Sequence, residues 1–577
     1  MAHLIPHRMR FQSALCLCPV VLLALAVLQP AAEAANLYWD FAPGTANGAS
    51  NGGGTSLAPG TWLGTANWDN GASYQIWADG NDAFVSGNSA LTLSAAVTVN
   101  TLNITSSTVR LQSDAAANNH ILTLTNGSTI ATGATLLLGG DLTNGAGNER
   151  SLDVRLGGDI NTSGTIGGNL DIYGGTILSS TSTAARTIYA NVRIGFAQGN
   201  TNGVVATFGN STNTGTLRIN GNLSTLGGGR RFDVVAGNIV EVSGNYHNAG
   251  TLTTAGGGTV KAGGVTSVGT ITIGAASDAT TLELTGDGVM TTTGTGSIAG
   301  TMTTNFAISS ANATIVFNST FASSVTSGVQ TFSGIISGTG KVVQAGAGTL
   351  VLTNTNTYTG STTVSGGVLQ VGSAGVGTTG TGAVTVQNGG ALLGTGTVRG
   401  STFTAQSGSI VHAGDGSAAT NFGTLRFTPS SGSGSFNFAA GSSTILGLNP
   451  GGTGDLLSFD GLSAGTLTFD GNLTITAPGY VPTSEETFNL LDWANLTSTF
   501  ASRYTANSYN GYLLGNGDDN LGFDLPDIAG SGYGWDISQF IINGTISTVM
   551  LVPEPGRASL LLAGVCGLLL RRRRMVA

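Results

Sequence analysis

The sequence predicts an all-β protein, an elongated parallel β-helix whose short strands coil and stack around one continuous core. Apolar residues alternate with polar ones over four or five positions at a time, from about Leu91 to Val549, which is the periodicity of strands and not of helices. Glycines interrupt these strands at short intervals, and 92 of the 577 residues are glycine. Because no strand this short can bury its apolar side alone, we expect successive coils to stack.

The clearest repeating unit lies between Gly338 and Gly372. Glycines stand at its corners, where we expect backbone conformations with positive φ. The pattern resembles the autotransporter-associated β-strand repeat of surface and exported proteins in Gram-negative bacteria. The resemblance implies one or two coils of a β-helix and brings no catalytic residue with it. The residues that carry it are Gly346, Gly348, Leu350, Leu352, Asn356, Tyr358, Gly360, Gly367, Leu369 and Val371.

The charge and cysteine content narrow the classes of partner. Residues 36–551 carry 13 basic and 27 acidic side chains, a net charge of −14, without a basic cluster. Nucleic acids, anionic membranes and anionic glycans are therefore disfavoured, since phosphate binding relies on Lys and Arg. The three cysteines, Cys16, Cys18 and Cys566, all lie in the terminal apolar segments. The body between them can form no disulfide and hold no thiol nucleophile.

The first 34 residues are typical of a secretory signal peptide. Arg8 and Arg10 precede an apolar run, and Ala32-Glu33-Ala34 has the small-residue pattern of a cleavage site. We therefore expect signal peptidase to cut between Ala34 and Ala35. The alternative is an N-terminal membrane anchor, which the run disfavours because it is shorter than the roughly 20 residues needed to span a bilayer.

The C-terminal segment carries a second export signal. A predominantly apolar run of thirteen residues, 558–570, precedes four arginines. A helix of this length spans about 20 Å of a hydrocarbon core of about 30 Å, which suits transient insertion in the inner membrane with the arginines on the cytoplasmic side. The arrangement resembles the PEP-CTERM sorting signal, which implies recognition by an exosortase and removal of the tail; an ordinary tail anchor is the alternative. The motif residues are Val552, Pro553, Glu554, Pro555, Arg571, Arg572, Arg573 and Arg574.

Four tryptophans, Trp39, Trp62, Trp68 and Trp77, lie near the start and predict an aromatic cap on the first coil, with a sugar-binding platform as the alternative.

These features divide the chain into six segments. The predicted segments are a signal peptide (1–34), a cap region (35–90), an irregular β-solenoid (91–332), the repeat region (333–400), a C-terminal β region (401–551) and the sorting signal (552–577).

No catalytic, cofactor-binding or metal-binding residue is predicted. The body's three histidines, His120, His247 and His412, lack a second ligand at metal-binding spacing, and we interpret them as surface residues on turns. Residues 451–455 and 516–527 approach calcium-binding patterns without completing them. Paired carboxylates from neighbouring coils stay open, because such pairs are far apart in the sequence.

The leading functional hypothesis is an exported, non-enzymatic protein of the cell surface or biofilm matrix. Its expected partners are signal peptidase, an exosortase and a glycan or matrix polysaccharide, with no cofactor. The second hypothesis is a carbohydrate-binding adhesin that uses the tryptophans or a stacked face of Asn and Thr. The third, a β-helical polysaccharide lyase or hydrolase, rests on an analogy of fold.

Overall fold

The chain folds as a nearly all-β solenoid, which confirms the predicted fold class. The computed structural model describes residues 34–551 and 564–568. Within the first range it leaves out residues 42, 45, 51–57, 115–118, 141–149, 162–164, 174, 196–204, 226–229, 245, 249–251, 268, 291–295, 298–299, 320–328, 416–421 and 506–521. Residues 564–568 are helical.

Each coil contributes a strand to three parallel stacks, which we call the first, second and third face. The first face consists of two parallel sheets, and isolated bridges at Ile160 join the end of one to the start of the other. The first-face strands are Asn36–Trp39, Asp82–Val85, Leu102–Ile104, Thr129–Ile130, Arg186–Ile188, Thr216–Ile219, Ile239–Val242, the starts of Thr259–Ser267 and Thr281–Met290, then Thr314–Phe317, Lys341–Gln344, Thr362–Val364, Val384–Val386, Thr402–Ala405, Ser433–Phe438, Ala464–Phe469 and Thr497–Phe500.

The second face shares two long strands with the first, because Thr259–Ser267 and Thr281–Met290 bend around the corner between them. The second-face strands are Ala58–Thr61, Ser89–Leu93, Thr108–Ser113, Thr135–Leu138, Asn169–Tyr173, Asn191–Gly195, Leu223–Thr225, Tyr246–Asn248, the ends of the two shared strands, Gly300–Met302, Val329–Phe332, Thr349–Leu352, Gly367–Val371, Gly390–Gly394, Ile410–Ala413, Ser443–Asn449, Asn472–Thr476 and Phe523–Asp524.

The third face is a ten-stranded sheet continued, through hydrogen bonds at Asn356 and Thr378, by a four-stranded one. Its strands are Val97–Val99, His120–Leu124, Leu152–Leu156, Ile177–Ser180, Ala206–Phe208, Arg230–Val234, Leu252–Ala255, Ile271–Ile273, Phe306–Ile308, Ile336–Gly338, Thr397–Val398, Thr424–Phe427, Leu456–Ser458 and Leu491–Asp492.

The remaining elements close the ends and form small hairpins. A C-terminal antiparallel sheet packs beside two one-turn helices, Ser502–Thr505 and Phe540–Asn543. Gly544 ends the second helix in a left-handed conformation with φ of 77°. The antiparallel strands are Trp68–Asp69, Tyr74–Gln75, Gly296–Ser297, Thr453–Gly454, Thr487–Asn489, Tyr533–Asp536 and Thr545–Met550.

The register sets the length of a coil. Leu350 stacks on Leu369, Leu369 on Leu392 and Leu392 on Val411, so that successive coils take 19, 23 and 19 residues. All four side chains are buried, because alternate residues of a strand point into the solenoid. Strands on either side of positions 332/333 and 400/401, the predicted segment boundaries, pair in parallel with strands of the neighbouring coils.

One hydrophobic core runs from Leu37 to Ile546. In its C-terminal half, phenylalanine rings stack from coil to coil; Phe427 and Phe459, for example, lie with ring centroids 4.8 Å apart and nearly parallel. Such contacts add to the burial of the rings themselves. In the described part of the chain, the buried side chains thus form one continuous core.

Several corner positions require glycine because successive coils approach closely there, and not because the backbone has a positive φ. A Cβ on Gly360 would lie 2.0 Å from the carbonyl oxygen of Gly340, one on Gly382 2.1 Å from that of Gly360, and one on Gly400 2.4 Å from that of Gly382. None of these four glycines has positive φ, whereas Gly367 does, at 55°. The expectation that corner glycines serve left-handed backbone is thus wrong for this column, where successive corners leave no room for a side chain.

We expect Gly360→Val to destabilise the protein by roughly 3 kcal/mol, the upper end for overpacking, because its Cβ meets a backbone oxygen that cannot move aside. The matched control is Gly263→Val. Gly263 has no atom within 4 Å of a built Cβ and no positive φ, so this variant should unfold like the wild type. Urea unfolding midpoints measure the difference, and an equal loss in both variants would contradict the close-approach argument.

Candidate functional site

The repeating unit between Gly338 and Gly372 forms a coil and a half of the solenoid. Its apolar members Leu350, Leu352, Leu369 and Val371 are all buried. They belong to neighbouring second-face strands, Thr349–Leu352 and Gly367–Val371, which pair in parallel. These residues contribute to the core and leave no apolar contact surface outside it.

The polar members of the repeat also act inside the stack. Asn356 is fully buried; its side-chain oxygen accepts the Ile336 N–H at 2.8 Å and its amide donates to the Thr378 carbonyl at 2.7 Å. One side chain thus joins three successive coils where the third face lacks a regular strand. The buried Tyr358 hydroxyl hydrogen-bonds Thr362 at 2.7 Å, and burial raises the pKa of Tyr358. The conspicuous polar residues of the repeat therefore hold the coil together.

The outer surface of the first face carries two kinds of column. Towards the N terminus, opposite charges stack, with Arg218 2.7 Å from Glu241 and Lys261 3.3 Å from Glu283. Towards the C terminus the columns consist mainly of side chains with hydroxyl groups. Successive coils repeat at about 4.8 Å, and neighbouring columns lie about 7 Å apart. The aligned residues are Thr363, Thr385, Thr404, Asn437, Thr468 and Thr499 in one column and Thr402, Ser435, Thr466 and Thr497 in the other.

The N-terminal tryptophans are buried and cannot form a sugar-binding platform. Trp39, Trp62 and Trp68 are at most 1% exposed and Trp77 is 5% exposed. Their rings contact one another with centroids 4.8–5.4 Å apart, and Trp68 donates from its indole nitrogen to the Trp62 carbonyl at 3.1 Å. An antiparallel hairpin beside them pairs with the first strand. The platform interpretation is therefore wrong, and the rings fill the end of the core.

The interpretation of His412 as a surface residue on a turn is also wrong. His412 lies on the strand Ile410–Ala413, is buried, and places its Nε2 3.5 Å from Asp455. The Asp455 carboxylate accepts backbone N–H groups of Gly423 and Gly447, each at 2.8 Å. Both residues thereby fasten a corner between the second and third faces. His120 lies on a third-face strand, 2.8 Å from Asp114, and His247 on a second-face strand.

Two carboxyl groups from neighbouring coils do come together. Asp492 pairs in register with Ser458, and Asp460, two residues further on, is close enough to affect its pKa. Loss of water and the bond to Asp460 raise the pKa of Asp492. The two carboxyls therefore interact, and the folded chain favours the protonated form of Asp492.

Among the described residues, the remaining predicted sites do not bring metal-binding side chains together. Where the chain is described, no three His, Cys, Asp or Glu side chains converge on a metal-sized space, and no helix is long and apolar enough to cross a membrane. Ala34 and Ala35 begin the described range, and the Ala35 N–H donates to Asn81 at 3.0 Å. The motif residues at 552–555 and 571–574, and positions 516–520 of the calcium pattern, lie outside the described residues.

Comparison with known proteins supports the resemblance of this repeat to a known family. A family model for the passenger-associated transport repeat matches residues 342–371. The match covers one coil and a half, and it marks the chain as similar to the exported, surface-associated passengers that carry this repeat. No curated protein and no solved structure matches the chain significantly.

We expect the stability of the wild type to fall, relative to Asp492→Asn, as pH rises from about 4 to about 7. The raised pKa means that the folded state holds this proton more tightly than the unfolded state, so the contribution is present at acid pH and lost as pH rises through the folded pKa. Melting temperatures of both proteins across this range measure the difference. Asp524→Asn removes the same charge away from the pair and should keep the wild-type slope; parallel curves for all three would contradict the assignment.

Proposed function

We propose that this protein is an exported, non-enzymatic structural component of the cell surface or of the surrounding matrix. The observation that carries the proposal is the unbroken β-solenoid that contains a passenger-associated repeat. Its conspicuous polar residues, such as Asn356 and Asp455, satisfy the backbone of their own corners. A chain whose polar side chains bond its own backbone is suited to extending from a surface, because stacked coils are stiff without disulfides.

We further propose that the C-terminal segment is a sorting signal of the PEP-CTERM type, cut by an exosortase. Pro553 and Pro555 disfavour a helix around Glu554, and a processing enzyme requires an extended segment. The apolar run that follows is too short to anchor the chain firmly, and Arg571–Arg574 hold its end on the cytoplasmic side. Signal peptidase acts at the other end, between Ala34 and Ala35.

We expect protein isolated from the envelope of its native cells to have lost the four arginines. Replacing Pro553 and Pro555 by alanine should leave them on the chain, because the cleavage segment is then free to continue a helix. Mass spectrometry of the mature C terminus measures this. Arg557→Gln, outside the motif, should be processed normally. A wild-type envelope protein that keeps its arginines, or unchanged surface display after deletion of residues 552–577, would contradict the proposal.

Adhesion to a neutral glycan is the second candidate function, and the hydroxyl columns of the first face favour it. Aligned threonines present hydroxyl and methyl groups at regular intervals, which suits a partner that repeats along its length. The acidic body disfavours anionic glycans. A polysaccharide lyase or hydrolase has less support, because it rests on an analogy of fold alone.

If the columns bind an extended neutral polysaccharide, the double variant Thr404→Lys, Thr468→Lys should reduce retention on insoluble glucan or xylan at least tenfold, because long cationic side chains break the array. Ser431→Lys, at an exposed corner of the same coils, adds a lysine outside the columns and should bind like the wild type. Equal retention of the double variant would exclude the columns as the binding surface.

A further inference from the structure

A groove of about 370 Å³ with polar and apolar lining lies on the outer surface of the third face, beneath the loop that follows the strand Ala206–Phe208. Its volume is within the range of small-ligand sites, about 300 to 1,000 Å³. Three neighbouring strands form its floor, and the loop forms one wall. The lining residues that carry the argument are Asp153, Arg155, Ile177, Ser179, Thr207 and Asn213.

The register brings the floor residues together from distant parts of the sequence. Asp153 pairs with Ile177 and Ile177 with Thr207, while Arg155 lies next to Ser179. The Arg155 guanidinium donates two hydrogen bonds to the Asp153 carboxylate, at 2.6 and 3.0 Å. The two charges therefore balance within the groove, which disfavours an anion or a cation as its ligand.

The loop wall is fixed by its own hydrogen bonds. Asn210 accepts the N–H groups of Thr212 and Asn213 at 2.9 and 2.6 Å, an arrangement that folds the loop back on itself. The Asn213 amide donates to the Thr181 carbonyl at 3.0 Å, and the Asn210 amide to that of Ser180 at 3.3 Å. A ligand would thus meet a wall that is already in place, which lowers the entropy cost of binding.

One polar group in the floor has no partner. Ser179 is 1% exposed, and its hydroxyl makes no hydrogen bond to any described part of the chain. A buried hydroxyl without a partner destabilises a fold, so such groups are rare and need a reason. Ser179 belongs to the lining of the groove, where a ligand with hydroxyl groups can supply the missing bond.

We propose that this groove binds one neutral sugar unit of a glycan. Hydroxyl, amide and balanced charged groups supply the donors and acceptors that sugar hydroxyls need, and Ile177 and Val235 offer an apolar surface for the C–H groups of the ring. This binding site goes beyond a structural role, and it is separate from the hydroxyl columns because it lies on the third face. It gives the solenoid a place that selects one glycan among others.

The test is an array of neutral oligosaccharides (gluco-, manno-, galacto- and xylo-oligosaccharides) and uronate oligosaccharides, probed with the purified full chain and followed by calorimetry on the ligands that bind. We expect a neutral oligosaccharide to bind and the uronates not to. Thr207→Phe, which fills the groove, should weaken binding at least tenfold. Ser179→Ala should weaken it severalfold without lowering the melting temperature, since it removes a hydroxyl that the free protein leaves unpaired.

Ser431→Lys, at an exposed corner outside both the groove and the columns, serves as the control and should bind these short oligosaccharides like the wild type. The proposal is overturned if no neutral oligosaccharide binds, if uronates bind better, or if Thr207→Phe binds normally. A Ser179→Ala protein that is less stable and binds unchanged would assign the serine a purely structural role and also overturn it. Because binding is measured in solution, its failure is distinct from a failure of export or tail processing.

Discussion

The close approach of successive coils at their corners is the constraint on which the whole structure depends. Parallel strands in one stack lie about 4.8 Å apart, and at some corners the chain turns within two residues, as between Ile336–Gly338 and Lys341–Gln344. At the corner that leads into the first face, the column Gly340, Gly360, Gly382 and Gly400 has carbonyl oxygens where a Cβ would lie. Glycine there allows the three faces to remain in register over many coils.

The register that this corner maintains explains both the core and the surface. Inward side chains stack on identical or similar ones, as the phenylalanines of the C-terminal half do, and outward side chains form the charged and hydroxyl columns. Polar groups inside the stack are tolerated only with full hydrogen bonding, as at Asn356. Stability and surface pattern thus come from the same coil geometry.

Much of this architecture could be predicted from the sequence, and the exceptions have physical reasons. Alternation of apolar residues around Leu350 and Leu369 is local and predicts inward-facing strands correctly, and the clustered tryptophans predict a cap. The role of Gly360 could not be assigned, because a clash with Gly340 depends on the pairing of two coils. The position of His412 could not be predicted for the same reason: its partner Asp455 comes from the next turn of the solenoid. The groove could not be predicted because its lining spans residues 153–235, although Asp153 and Arg155 at alternate positions of one strand are a usable signal.

Coils of 19 and 23 residues stack in the same register, because the extra residues leave at the corners and not in the strands. A gene duplication that inserts one whole coil would therefore lengthen the molecule by about 4.8 Å while both ends stay closed. Related chains can in this way evolve different lengths through the gain or loss of units, with the surfaces of the retained coils unchanged.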